Sequence, residues 1–329
     1  METILITGGS GFIGSNFISY FLQKYKTYKV INLDLLTYAG NTSNNKNVES
    51  NKNYFFVHGD IRERNLLEDL FKKFDIKYVI HFAAESHVDN SIEGPSVFVE
   101  TNVLGTFNLL DVAYRYWKAR KYLNSRFHHI STDEVFGSLG TKGLFTEVTP
   151  YSPNSPYSAS KASSDLLVKC YHSTYDMNVV ITNCSNNFGP NQHEEKLIPT
   201  VIRNAIQRKA IPIYGDGSNI RDWLFVLDHC IGIDLVFHNG RPGELYCIGA
   251  NNEKTNNEIA NEICDLLDIK LPFEESYKEL LTFVDDRKGH DFRYAIDFSK
   301  IKFELDWEPQ VKYLNGLEQT IDYFISKYI

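Results

Sequence analysis

Cysteine is scarce in this chain of 329 residues, and none is paired by spacing. Cys170, Cys184, Cys230, Cys247 and Cys264 are scattered, odd in number and without a Cys-x-x-Cys pair. That argues against a disulfide framework or a zinc site and fits a reducing cytoplasm. No apolar run approaches the roughly 20 residues that span a bilayer. The opening Met1-Glu-Thr-Ile-Leu-Ile reads as a strand and lacks the basic start of a secretory signal. Excess positive charge is missing too. Lys and Arg number 34 against 42 Asp and Glu, a net charge of −8, which argues against nucleic acid and membrane surfaces as partners. Repeats and low-complexity segments are also missing. With 43% hydrophobic and 23% charged residues, the composition is that of a soluble globular protein of one large or two interlocked domains.

What is present begins with residues 3–7, a short apolar run followed by Gly8-Gly9-Ser10-Gly11-Phe12-Ile13-Gly14 and an amphipathic stretch over 17–25. Strand, glycine turn and helix form the context that a dinucleotide fingerprint requires. Glycines let the backbone approach a pyrophosphate, and the helix start offers unpaired N–H groups and the positive end of a dipole. A second strand, 29–33, ends at Asp34, 20 residues after Gly14. A carboxylate there accepts bonds from ribose hydroxyls and repels a 2′-phosphate, so NAD is expected rather than NADP.

Alternation continues with strands at 54–57, 78–82 and 127–131 and helices at 62–74 and 95–122. The pattern predicts a parallel sheet covered by helices on both faces, doubly wound. Ligands in such sheets lie beyond the carboxyl ends of the strands, where Gly8, Asp34, Asp60, Ala84 and Thr132 all fall. His81, His87, His128 and His129 have no metal-ligand spacing, so no metal is expected.

The strand at 127–131 runs into Thr132, Asp133 and Glu134, and Tyr157 and Lys161 follow at a spacing that shares one helix face. A hydroxyl, two carboxyls, a phenol and an amine can move several protons within one pocket. Strict strand alternation would point Asp133 and Glu134 to opposite faces, so the chain must turn after Thr132 for both to reach one ligand. Taken singly, each pair reads as turn acids or as a surface helix pair; the fingerprint upstream is what favours a site.

A helix to about 175 and a strand over 178–183 follow, and the turn formers of 184–190 read as the exit from the nucleotide domain. Beyond it, helices are expected at 198–208, 226–237, 256–267 and 314–327, with strands at 211–214 and 245–248. The expected division is an NAD-binding Rossmann domain over 1–185, to which 225–250 returns, and a smaller C-terminal α/β substrate domain over 186–224 and 251–329. Residues 41–53, rich in Asn, Lys and Ser, are the expected mobile loop.

Thr7-Gly8-x-x-Gly11-x-x-Gly14 with Tyr157-x-x-x-Lys161 resembles the extended short-chain dehydrogenase/reductase group, which modifies nucleotide sugars. Ser131-Thr132-Asp133-Glu134-Val135-Phe136-Gly137 narrows the resemblance to the dTDP-glucose 4,6-dehydratase family. So do Asn186-Asn187-Phe188-Gly189-Pro190, Glu195-Lys196-Leu197-Ile198-Pro199, Arg221-Asp222-Trp223 and Asp286-Arg287-Lys288-Gly289-His290-Asp291, along essentially the whole chain. Phe136 and Phe188 stand where that family often has tyrosine, and Lys288 where it often has proline.

The resemblance implies conversion of dTDP-glucose to dTDP-4-keto-6-deoxyglucose and water in a deoxysugar pathway of the dTDP-rhamnose type. NAD would be tightly bound and recycled. Thr132, Asp133, Glu134, Tyr157 and Lys161 are the implied catalytic residues. The implied cofactor residues are Gly8, Gly11, Phe12, Ile13, Gly14, Asp34, Thr37, Asp60, Ile61, Ala83, Ala84, Ser86, Thr101 and Asn187, with Tyr157 and Lys161 shared. Substrate would meet Ser86, Thr132, Asn186, Lys196, Leu197, Pro212, Tyr214, Arg221, Asn256, Arg287 and His290, the two arginines facing the pyrophosphate. A homodimer through helices near 96–120 and 158–175 is implied as well. An NAD-dependent nucleotide-sugar 4-epimerase would use the same Tyr157 and Lys161 but has no need of Asp133 and Glu134. A dinucleotide-sensing protein without catalysis would commonly have lost the tyrosine or the lysine, and both are present.

Overall fold

Along the first strand Ile4 and Ile6 point to one side and Leu5 to the other, as a period of two requires, and all three are fully buried. Such a strand belongs inside a sheet covered on both faces. The computed structural model describes residues 1–122, 124–287 and 289–329 and contains that sheet. Its first part runs β1 (Glu2–Thr7), α1 (Phe12–Lys24), β2 (Tyr28–Asp34), β3 (Tyr54–His58), α2 (Arg64–Phe74), β4 (Tyr78–His81), α3 (Val88–Glu93), α4 (Pro95–Phe98), α5 (Thr106–Arg120), β5 (Arg126–Thr132), α6 (Pro156–Tyr175) and β6 (Val179–Cys184). The remainder runs β7 (Asn186–Phe188), α7 (Leu197–Ile206), β8 (Ile211–Tyr214), β9 (Ile220–Phe225), α8 (Val226–Asn239), β10 (Leu245–Ile248), β11 (Glu253–Thr255), α9 (Asn256–Lys270), β12 (Leu281–Val284), α10 (Ser299–Leu305) and α11 (Tyr313–Tyr328).

Seven strands pair in the order β10-β6-β5-β4-β1-β2-β3, all parallel. Ile4, Ile6, Ile80 and Ile130 pack against α1 and α8 on one face, while Leu5, Leu33, Val79, Phe127 and Ile181 pack against α2, α5 and α6 on the other. This is the doubly wound α/β fold the alternation predicts. The order reverses between β1 and β4, the switch point where a crevice opens at the carboxyl ends. Register sets that edge: Thr7 lies beside Leu33 and His81, His81 beside His129, and Thr132 beside Cys184. A second core joins α7, α9 and α11 to β7, β8 and β9 through Ile198, Trp223, Ile259 and Leu317.

One expectation fails and two gain local structure the sequence did not show. The predicted helix over 95–122 is broken by a π-helical turn, Val99–Gly105, between α4 and α5. The wider turn presents Thr101 to the crevice and lets buried Asn102 accept Glu85 N–H and donate to Glu85 O, both at 2.9 Å. Residues 184–190 are not only an exit loop, because β7 lies beside β9 in a three-stranded sheet. Residues 41–53 include a 3₁₀ turn, Thr42–Asn45, tied to the glycine turn: Asn45, 3% exposed, donates to Gly9 O, and Asn44 donates to Ser10 O, both at 2.9 Å. Lys288 lies outside the described residues. Among the described residues no helix is long and apolar enough to cross a membrane, and no group of three or more His, Cys, Asp and Glu could hold a metal ion.

Candidate active site

The β1–α1 turn is built so that only hydrogen fits at two points. Gly8 has φ +70°, and a Cβ there would lie 2.6 Å from Ala83 N; at Gly14 it would run into the Gly8 carbonyl. The close approach leaves the first turn of α1 facing the crevice with no side-chain cap and no acid, so its N–H groups are free for an anion. At the end of β2, Asp34 accepts Ser10 N–H and Leu36 N–H, each at 2.8 Å. Burial raises its pKa, and those two N–H groups oppose the shift. Asp60 is held by Arg62, whose backbone N–H and Nε each donate at 2.8 Å. Gly8, Gly11, Phe12, Ile13, Gly14, Asp34, Thr37, Asp60, Ile61, Ala83, Ala84, Ser86, Thr101, Tyr157, Lys161 and Asn187 line one cleft. A helix end free for a phosphate and, bonded to the same turn, a carboxylate at the end of β2 both line that cleft, a pairing that fits a dinucleotide.

Thr132, Asp133 and Glu134 line the same cleft. The strand stops at Thr132, and residues 133–136 form one 3₁₀ turn capped by Thr132, whose hydroxyl accepts Glu134 N–H at 3.3 Å. That turn is how two consecutive acids reach one space, a change of direction the alternation argument requires. Thr132 Oγ1 also donates to Asp133 Oδ1 at 3.3 Å, while Asp133 Oδ2 is buried without a hydrogen-bond partner. Burial pushes the Asp133 carboxyl well above its ordinary range, with Glu134 and Asp222 adding to the shift. It is an acid poised to hold its proton. Burial raises Glu134 as well, but Lys196, Arg221 and Arg287 pull it back.

Helix α6 starts sharply. Ser155 and Ser158 form a capping box, with Pro156 in the first turn, which sets Tyr157 at the positive end of the helix. Burial raises the Tyr157 phenol well above 10, Glu134 adds to that, and the Thr132 hydroxyl works the other way. One turn on, Lys161 Nζ donates to Ile130 O at 2.8 Å. Burial lowers its pKa to about 8, with Asp165 and Cys184 opposing. A phenol, an amine, a hydroxyl and two carboxyls, all buried or largely so, line one cleft.

Of the residues marked for substrate, Ser86, Thr132, Asn186 and Lys196 line this cleft. Lys196 stands at the start of α7 without capping it and donates to Ser86 O at 3.3 Å, so the two meet directly. Leu197, Pro212, Tyr214, Arg221, Asn256, Arg287 and His290 lie outside its lining. Arg221 is buried over Tyr294 and donates to the carbonyls of Ile220, Asp291 and Phe292. Arg287 pairs with Asp89 at 2.9 Å and lies 5.3 Å from the Tyr214 ring. His290 binds Asp286 at 2.7 Å, and Asn256 opens α9. The cleft also takes in Arg62, Glu85, Gln192, His193 and Glu195, which the sequence reading did not mark. Arg62, Glu85 and Glu195 each adjoin a marked residue, while Gln192 and His193 lie in the loop between marked Asn187 and Lys196.

Known proteins answer to the same geometry. The family model described as GDP-mannose 4,6 dehydratase matches residues 5–320. A dTDP-glucose 4,6-dehydratase of Haemophilus influenzae is 51% identical over 99% of this chain and 98% of its own. The structure of dTDP-glucose 4,6-dehydratase from Bacillus anthracis in complex with NAD superposes with a TM-score of 0.89 at 48% identity, covering 100% of this chain and 98% of that one. The enzyme of that name from Streptomyces venezuelae, with NAD and TYD bound, gives 0.91 at 46% identity over 98% and 97% of the two chains.

Proposed function

The chain belongs to the dTDP-glucose 4,6-dehydratase family, and from that membership we infer that it converts dTDP-glucose to dTDP-4-keto-6-deoxyglucose and water. The observation that carries the reading is the 3₁₀ turn that brings Asp133 and Glu134 into the cleft of Thr132, Tyr157 and Lys161. Bound NAD, held by the glycine turn and Asp34, accepts hydride from the sugar C4 and returns it to C6.

The residues manage the protons. Tyr157 takes the C4 hydroxyl proton, helped by the Lys161 charge and the start of α6, because an unassisted phenol titrates near ~10. Thr132 bonds the C4 oxygen. Once C4 is a ketone the C5 proton is acidic, and Glu134, tempered by its three cationic neighbours, removes it. Asp133, kept protonated by burial, gives its proton to the departing C6 hydroxyl. Glu134 then returns a proton to C5.

Arg221 and Arg287 are assigned to the pyrophosphate, with Asn186, Lys196, Leu197, Pro212, Tyr214, Asn256 and His290 around the nucleotide and sugar. Arg287 meets Asp89 through Nε and Nη2, which leaves Nη1 to face a phosphate oxygen. Residues 1–185 with 225–250 form the cofactor part, and 186–224 with 251–329 the substrate part. A homodimer through α5 and α6 is supported by exposed Leu166 and Tyr175 on α6 and by Leu104 just before α5. Five free cysteines, four of them buried, support a reducing cytoplasm.

A 4-epimerase would leave Asp133 and Glu134 without a task, and a sensor would leave the whole proton set so. Mass spectrometry of dTDP-glucose after incubation with the purified protein tests the reading. Loss of one water supports it; an isomer of unchanged mass would mark an epimerase.

A further inference from the structure

Behind the catalytic pair lies a charge that the mechanism above does not use. Tyr157, Lys161 and Asp165 follow at intervals of four on α6, so all three share one face of the helix. Asp165 is completely buried, yet its Oδ2 accepts Ser131 Oγ at 2.9 Å, Tyr151 Oη at 3.0 Å and Asn183 Nδ2 at 3.3 Å. Three donors on one oxygen mark a carboxylate rather than a carboxylic acid. Its other oxygen lies 3.1 Å from His129 Nε2 on β5, and the same ring nitrogen lies 3.4 Å from Lys161 Nζ. An ammonium can only donate, so Nε2 accepts from Lys161, and Asp165 Oδ1 stands beside that nitrogen without a hydrogen-bond partner of its own. One ring nitrogen thus faces both charges, with His129 and Asp165 fully enclosed and Lys161 buried.

An ammonium in such a site needs a counter-charge, since isolated burial drives it neutral. The groups facing Lys161 are few. Its own helix offers Tyr157 and Asp165, β5 offers His129 and the Ile130 carbonyl, and β6 offers Cys184. On β4, His81 stands one ring further back, 5.3 Å from His129. Of these only Asp165 is an anion before Tyr157 ionises. Burial pushes its carboxyl up, but His129, Lys161 and Ser131 outweigh that and hold it below the ordinary range. His129 is driven down to about 4 by burial and by Lys161, so it stays neutral and adds no competing charge.

We propose that Asp165, acting through the His129 ring, is a positioning residue of this enzyme: its fixed carboxylate keeps Lys161 protonated and aimed at Tyr157. The proposal rests on the dehydratase reading and adds a residue to it. Lys161 loses its proton at high pH, and with it the support for the Tyr157 phenolate, so turnover should fall on the alkaline side. Removing the Asp165 charge should bring that fall to lower pH.

The test is the pH profile of kcat and KM for dTDP-glucose in the wild type, Asp165→Asn, Asp165→Glu and Tyr151→Phe. For Asp165→Asn the alkaline limb should move down by about one pH unit or more, a tenfold change in proton affinity per unit. Its deficit should be largest above about pH 8 and shrink towards pH 6, in kcat rather than KM. Asp165→Glu should recover part of the shift. Tyr151→Phe, which removes one donor and keeps the charge, should leave the limb near that of the wild type, and it supplies the folded control if Asp165→Asn misfolds. In that case His129→Asn replaces it, and the limb should again move down. A loss of activity equal at every pH would make Asp165 merely structural and overturn the proposal, as would an unmoved limb. Failure of the wild type itself to release water would instead overturn the dehydratase reading.

Discussion

The Thr132 hydroxyl accepts the backbone N–H of Glu134 at 3.3 Å, and this one cap decides where both acids of the site point. It ends β5, starts the 3₁₀ turn and leaves the same hydroxyl donating to Asp133. Thr132→Ser keeps the oxygen and should retain activity within a few-fold. Thr132→Val keeps the shape but loses cap and hydroxyl, and kcat should fall by about 10²-fold, the usual cost of one donor aimed at a reacting oxygen. Steady-state kinetics of the two variants check this; equal losses would remove the hydroxyl from the account.

Glu134→Gln and Asp133→Asn separate the steps. Each should keep oxidation at C4, seen as the near-ultraviolet absorbance of reduced cofactor. Release of water should drop by ~10²–10⁴-fold, the range of general acid–base catalysis. Variants that dehydrate at the wild-type rate would show that other groups carry those protons.

Asp34 is the residue we propose for holding the cofactor ribose. Its two backbone bonds fix the carboxylate at the end of β2, where a ribose would lie. Asp34→Ala should weaken NAD binding by about 10–100-fold, the worth of a lost charged hydrogen bond, and purified protein should then need added NAD. Calorimetric titration measures it.

Asn45 connects the segment after β2 to the glycine turn. Because its side chain is buried and bonded to Gly9 O, Asn45→Ala should cost about 1–2 kcal/mol. A thermal melt should show a loss of a few degrees. A melting point unchanged within error would contradict the clamp.

Gly8, Asp34, Asp60, Ala84 and Thr132 were legible from sequence because each closes a short apolar strand, and parallel strands bring all such ends to one edge. The return of 245–248 to the large sheet was legible for the same reason, as an apolar run beyond the nucleotide part. The π turn at Val99–Gly105 was not: inserting it disturbs a helical apolar pattern too little to be read. β7 is three residues long and opens on two asparagines, which read as a turn. Asp165 sits at helical spacing from Lys161, but only the fold brings His129 against both. Asp89 and Arg287 are 198 positions apart, and no local pattern records their pairing.

The most direct test of the whole account uses dTDP-glucose carrying deuterium at C4, incubated with the protein in ordinary water. Hydride removed from C4 and returned to C6 within one site predicts a product lighter by one water, with deuterium at C6 by NMR. An unlabelled product would break the link between oxidation and return. Deuterium retained at C4 of an intact sugar would contradict the dehydratase mechanism outright.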